Sequence, residues 1–274
     1  RYNNPVSTSG TGLENVYILN FQIEQYDQFK LPKNTGYHLG DVVVDKNGYN
    51  IISGAYNYKG FLLVYSPTGR LVKEVYSNGN SVYYSHLALA PNGDLYASSN
   101  DNNLGGGNTW ITHYDSNYDL VDETDVGLGL MYYMVMYGEE LVYTMNNQLI
   151  NFHTGKAVNL TDFGIVGSMY ADSEGYLVLT RTRYQNMYTT KYDKDFNLLW
   201  EKSYNFFDGG FVANPQIIEL DNGDYAVFTI FIHTYNSAKQ INYSKSGVQS
   251  DPIDILASNI KDIDKCPIHD YVLI

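Results

Sequence analysis

Short runs of apolar and β-branched residues separated by polar turns dominate the chain, and the stretch from Asp41 to Tyr76 shows the arrangement in full. Asp41 to Asp45 is apolar and β-branched at its centre, Lys46-Asn47-Gly48 supplies a residue free to take φ > 0, and Tyr49 to Gly54 runs back. That is an antiparallel hairpin. Phe61 to Tyr65 and Leu71 to Tyr76 form a second one around Ser66-Pro67-Thr68-Gly69-Arg70, where proline presets φ and glycine closes the turn. Together the two hairpins predict a four-stranded meander.

The meander recurs. Glycines related to Gly48 stand at Gly93 (APNGDLYA), Gly138 (MYGEELVY), Gly175 (DSEGYLVL) and Gly223 (LDNGDYAV), at intervals of 45, 45, 37 and 48 residues. A period of that size built from strands is the mark of propeller blades. The later turn repeats as an aromatic residue, a short polar turn and usually an apolar run, beginning at Tyr65, Tyr114, Phe152, Tyr192 and Tyr243. Five nearly complete blades can be counted. Val16 to Phe21 and Gln22 to Leu31 read as outer strands without an inner pair, whereas Ile260 to Ile274 reads as an inner pair without outer strands. Joining the two ends in one sheet closes the ring and removes an open edge. The expectation is one all-β domain over residues 1–274. It is a six-bladed β-propeller of four-stranded antiparallel blades, one of them closed by N- and C-terminal strands, with five blades plus a tail as the alternative.

Composition narrows the class further. A content of 44% hydrophobic residues suffices for a buried core, while 28 Tyr and 24 Gly favour strands and tight turns over helices. The net charge of −13 repels phosphates, and no basic run offsets it, which argues against nucleic-acid and anionic-membrane partners. Cys266 is the sole cysteine, so neither an internal disulfide nor a multi-cysteine metal site is expected, and Cys266 reads as a small buried apolar residue. No run approaches the length of a membrane span. The opening RYNNPVSTSGTG, without Met, fits a processed, exported protein or a trimmed chain.

Residues Asp172 to Tyr204 carry Asp172, Gly175, Lys191, Tyr192, Asp193, Asn197, Leu198, Trp200 and Tyr204 in the pattern D-x-x-G followed by K-Y-D-x-x-x-N-L-x-W-x-x-x-Y. This resembles the repeats of bacterial extracellular β-propeller proteins. Phe196 stands where those repeats carry glycine, and the other blades match more loosely. The resemblance implies an extracellular or cell-surface scaffold and brings no catalytic residue with it.

Counting seven residues back from each hairpin glycine reaches the start of each inner strand, at Asp41, His86, Met131, Ser168 and Gln216. Four of the five are polar, the composition a solvated channel mouth with a ligand would need and equally that of a water-filled channel without one. His38, Tyr83, Tyr84 and Asn214 lie just upstream. Aromatic rings beside amides can stack on sugar rings and hydrogen-bond hydroxyls, so Asp41, His86, Ser168, Gln216, Tyr84, Asn214 and His38 form the expected ligand-binding set.

Alternative chemistries find less support. The acidic turns at Asp45, Asp172, Asp193 and Asp221 lack a twelve-residue calcium loop and read as structural turns. The six histidines have no short-range pair, so no metal site or cofactor is expected. Asp41, His86 and Ser168 could be drawn as a triad, but no nucleophile-elbow motif accompanies them. The leading expectation is therefore an exported binding or assembly module for a carbohydrate or protein partner. The alternative is a propeller enzyme, such as a hydrolase, lyase or arylsulfate sulfotransferase-like protein.

Overall fold

A computed structural model of the protein describes residues 15–20, 25–30, 32, 37–77, 82–100, 107–160, 164–206, 211–232 and 237–255. The described elements are all strands, and they include five four-stranded antiparallel sheets. The chain divides into two compact units, Arg1–Glu139 and Glu140–Ile274.

In the first unit, β1 (Asn15–Asn20) pairs with β2 (Gln25–Lys30). A meander follows, of β3 (Tyr37–Val44), β4 (Asn50–Tyr56), β5 (Lys59–Tyr65) and β6 (Leu71–Tyr76). A second comprises β7 (Tyr84–Leu89), β8 (Leu95–Asn100), β9 (Asn108–Tyr114) and β10 (Leu120–Leu128), and β11 (Met131–Tyr137) packs beside β7. The second unit holds β12 (Glu140–Met145), β13 (Gln148–Asn151) and β14 (Ala157–Asn159). Its two full meanders are β15 (Ile165–Ala171), β16 (Leu177–Arg183), β17 (Asn186–Tyr192) and β18 (Leu198–Asn205), then β19 (Phe211–Glu219), β20 (Tyr225–Ile232), β21 (Ser237–Tyr243) and β22 (Ile253–Ile255).

The turn chemistry follows the residues. All five repeat glycines sit at positive φ, between 62° and 99°. The acidic turns engage their carboxylates in their own backbone: Asp45 Oδ1 accepts the N–H groups of Asn47 and Tyr49, both at 2.8 Å, and Asp172 Oδ1 accepts those of Glu174 and Tyr176 at 3.0 and 2.7 Å. The repeated aromatic position is core. Tyr65, Tyr114, Tyr192 and Tyr243 are buried, and Phe152 is half-buried. Burial pushes the phenols of Tyr65 and Tyr243 up to about 12, so both are neutral.

One device recurs between adjacent sheets. The first strand of four meanders carries a β-bulge, at Leu39/Val42, Tyr84/His86, Val166/Ser168 and Ala213/Gln216. Facing each bulge is a fully buried hydroxyl on the second strand, namely Ser53, Ser98, Thr180 and Thr229. Ser53 Oγ accepts the Asp41 N–H at 3.0 Å and donates to the Tyr84 carbonyl of the next sheet at 3.1 Å. Thr180 Oγ1 does the same with the Ser168 N–H at 3.1 Å and the Pro215 carbonyl at 3.0 Å. The backbones approach so closely there that a Cβ on Gly40 would stand 2.0 Å from the Tyr84 carbonyl oxygen. Only glycine fits. The bulge supplies the bend, and the hydroxyl satisfies a carbonyl that the bend withdraws from the ladder.

Of the expected strands at Val16 to Phe21 and Gln22 to Leu31, the described parts form β1 and β2, paired with one another in a two-stranded sheet; their place outside a C-terminal pair is a matter of residues not described. The expected inner pair at Ile260 to Ile274, and with it the closure of a sixth blade, lies outside the described residues, as does Cys266.

Candidate ligand site on the leading strands

In the first unit, β3 and β7 lie side by side, and two of the sequence-selected residues, Asp41 and His86, fall along the seam between them. Asp41 is half-buried. Its Oδ1 accepts its neighbour's N–H, from Val42 at 2.7 Å, and its Oδ2 reaches across to the Leu87 N–H of β7 at 2.8 Å. Beside it the Tyr83 hydroxyl donates to the Leu39 carbonyl at 2.9 Å. Burial first, and the Asp41 charge second, raise the Tyr83 phenol above its ordinary range. His86 is half-buried on β7, and desolvation pushes its imidazole down to about 4. It is therefore neutral at physiological pH. Its ring lies 5.6 Å from that of Tyr133 on β11, tilted by 42°. His38 is exposed near the start of β3.

This geometry offers a neutral imidazole and an aromatic face over polar groups already bonded to backbone. The Asp41 carboxylate ties the two strands together by accepting the Val42 and Leu87 amides.

Tyr84 departs from the expectation that it would face a ligand. It lies inside β7 with 0% exposure, its hydroxyl 2.7 Å from that of Tyr114 and its ring edge-on to the same residue at 6.3 Å. The bulge at Ser85 explains the difference, since the extra residue turns Tyr84 into the core. Tyr83 takes the place beside Asp41. In the second unit, Ser168 is 2% exposed, with its hydroxyl 3.1 Å from that of Thr180. Gln216 is likewise buried, so neither side chain stands in a solvated mouth. Asn214 belongs to the β19 bulge. Tyr133 was missed because its offset from Gly138 differs by two from that of the selected column. Only the contact with His86 reveals it.

Among the described residues, no group of three or more His, Cys, Asp or Glu side chains is gathered for a metal ion. Among the described residues, no helix is long and apolar enough to cross a membrane.

The architecture is that of β-propeller proteins. The chain matches a Bacteroides fragilis protein described as a "putative 6-phosphogluconolactonase" with a TM-score of 0.69 and 9% identity, covering 97% of this chain and 84% of that one. A Bacteroides uniformis protein of the same description gives 0.67 and 11%, covering 94% and 83%. Regucalcin from Agrobacterium tumefaciens, described as a calcium-binding protein, gives 0.51 and 15%, covering 78% and 74%. No family model matches the sequence, and no curated protein matches it. At such identities the likeness is one of fold.

Proposed function

We propose that this propeller binds an uncharged polar ligand, such as a carbohydrate or a neutral stretch of a protein partner, and does not transform it. An extracellular or cell-surface setting accords with the repeat-like pattern between Asp172 and Tyr204. The observation that carries the reading is the state of the seam on β3 and β7. Both Asp41 oxygens accept backbone amides, Tyr83 is bonded to Leu39, and His86 is neutral beside Tyr133. A neutral imidazole and a phenol ring suit hydroxyl-rich or amide ligands.

An enzymatic reading drawn from the fold neighbours meets a specific obstacle. A phosphorylated sugar lactone calls for cations at its phosphate, whereas this seam presents a carboxylate and a neutral imidazole. A glycan and peptide array, followed by calorimetry on the best hit, tests the proposal. His86→Ala should weaken binding about tenfold, equivalent to one lost hydrogen bond of about 1.4 kcal/mol, with thermal stability nearly unchanged. Full binding by His86→Ala would overturn this site, and turnover of a bound sugar would overturn the non-enzymatic reading.

A further inference from the structure

A buried pair in the second unit is placed for a covalent reaction of its own. Asp172 stands at the turn between β15 and β16, Lys191 lies on β17, and their side chains are 1% and 4% exposed with Nζ 3.2 Å from Oδ2. The fold does not demand a cation there, since Val64 fills the equivalent place in the first unit and is fully buried. Asp172 is held fast. Its Oδ1 accepts the Glu174 and Tyr176 amides at 3.0 and 2.7 Å. The residue after it is clamped by buried Glu219 of the next sheet, whose Oε2 accepts the Ser173 N–H at 2.9 Å and whose Oε1 accepts the Ser173 hydroxyl at 2.6 Å. The Lys191 amine is walled by rings, 4.1 Å from the centre of Tyr176 and 5.1 Å from that of Tyr225.

The Tyr225 hydroxyl joins the two groups. Lys191 Nζ donates to its oxygen at 2.6 Å, and it donates in turn to Asp172 Oδ2 at 2.5 Å, so a proton path runs from the amine to one carboxylate oxygen. Burial first, and then the hydrogen bond to Asp172, raise the Tyr225 phenol above its ordinary range, which makes the relay a neutral hydroxyl. The two amides on Oδ1 form the kind of cradle that holds the oxyanion of an acyl transfer. Water opposes condensation of a free amine with a free acid. Fixing both in one site offsets this, because well-oriented groups reach effective concentrations of about 10⁵ M or more, and burial keeps hydrolytic water away.

We propose that Lys191 and Asp172 condense to an intramolecular amide that ties β17 covalently to the β15–β16 turn, independently of any ligand at the His86 seam. The Lys191 ammonium passes one proton through Tyr225 to Asp172 Oδ2, and the freed lone pair attacks Cγ. Negative charge gathers on Oδ1 against the two amides. The Cγ–Oδ2 bond then breaks, Oδ2 takes a second proton from the nitrogen and leaves as water, and nothing is oxidised or reduced. High-resolution mass spectrometry of the whole chain, freshly purified and after a week at room temperature, reads the outcome. The wild type should be lighter than its sequence by one water, and trypsin should release residues 157–181 joined to residues 184–194, uncut after Lys191. Lys191→Met should keep its full mass. Tyr225→Phe, which retains the ring and removes the relay, should leave most of the chain at full mass while still melting cooperatively. A wild type that stays at full mass with no joined peptide, or a water loss that persists in Lys191→Met, would overturn the bond, and complete condensation in Tyr225→Phe would overturn the relay.

Discussion

The corner at Asp45 in the first unit and the corner at Asp172 in the second are built on one skeleton and filled with different chemistry. In both, one carboxylate oxygen caps the turn amides and the other accepts a tyrosine hydroxyl from the next sheet, Tyr118 at 3.0 Å for Asp45 and Tyr225 at 2.5 Å for Asp172. They part at one position on the third strand. Val64, opposite Ile51, is apolar and fully buried. Lys191, opposite Val178, is also buried but charged, with its amine 3.2 Å from Asp172, 2.6 Å from the Tyr225 oxygen and 4.1 Å from the centre of the Tyr176 ring. The same fold position therefore accepts a hydrocarbon or an ion. The ion is tolerated only because a carboxylate, a phenol and an aromatic face surround it.

The largest effect should come from breaking the ionic corner. Asp172→Ala leaves the Lys191 ammonium buried without its counterion and should cost about 3–5 kcal/mol in urea unfolding, with Asp172→Ala/Lys191→Met recovering much of the loss. A single variant as stable as the wild type would show that Lys191 finds water. Next, Tyr192→Ala and Tyr65→Ala should cost alike, about 3 kcal/mol each, since the two corners share this buried ring. A loss below about 0.5 kcal/mol at either would place that ring outside the core.

The pH profile separates the units further, because the first holds a half-buried, desolvated neutral imidazole where the second holds an ion pair. The folded His86 pKa lies near 4, below the ordinary 6.5, so the unfolded chain binds more protons between these values. Stability from this group is complete above about pH 6.5, falls as pH drops and levels off below about 4, for a loss of about 3 kcal/mol. His86→Gln should flatten that part of the curve. An unchanged curve would mean that His86 is solvated. The smallest effect belongs to Asp45→Ala. Its carboxylate is half-buried and no ion depends on it, so about 1–2 kcal/mol is expected, and a loss matching that of Asp172→Ala would erase the distinction between the corners.

The strand repeat was legible because glycine at φ > 0 and aspartate capping its own turn are local chemistry, visible at Gly48 and Asp45 without knowledge of the fold. The buried column from Tyr65 to Tyr243 was legible for the same reason, since each ring directly precedes a turn of fixed form. The seam was only half legible. Counting back from glycines assumes a regular ladder, and each bulge adds a residue that rotates what precedes it. Hence Asp41 and His86 fell where a ladder would put them, while Tyr84 turned inward and Tyr83 replaced it. The hydroxyls of Ser53 and Thr180 gave no signal, because a serine or threonine within an apolar strand looks like any small residue until the facing bulge is known. Lys191 was matched as part of a repeat, but its burial depended on Tyr225, 34 residues away.

The hydroxyl links between sheets also bear on how the chain assembles as it leaves the ribosome. Ser53 meets its partner carbonyl 31 residues downstream, and Thr180 meets its own after 35. Each bond can therefore form soon after the next leading strand emerges, without waiting for distant sequence, and short loop closure favours rapid folding. A meander is thus fastened to its successor one step at a time, which shortens the interval in which a lone sheet edge stands open to another nascent chain.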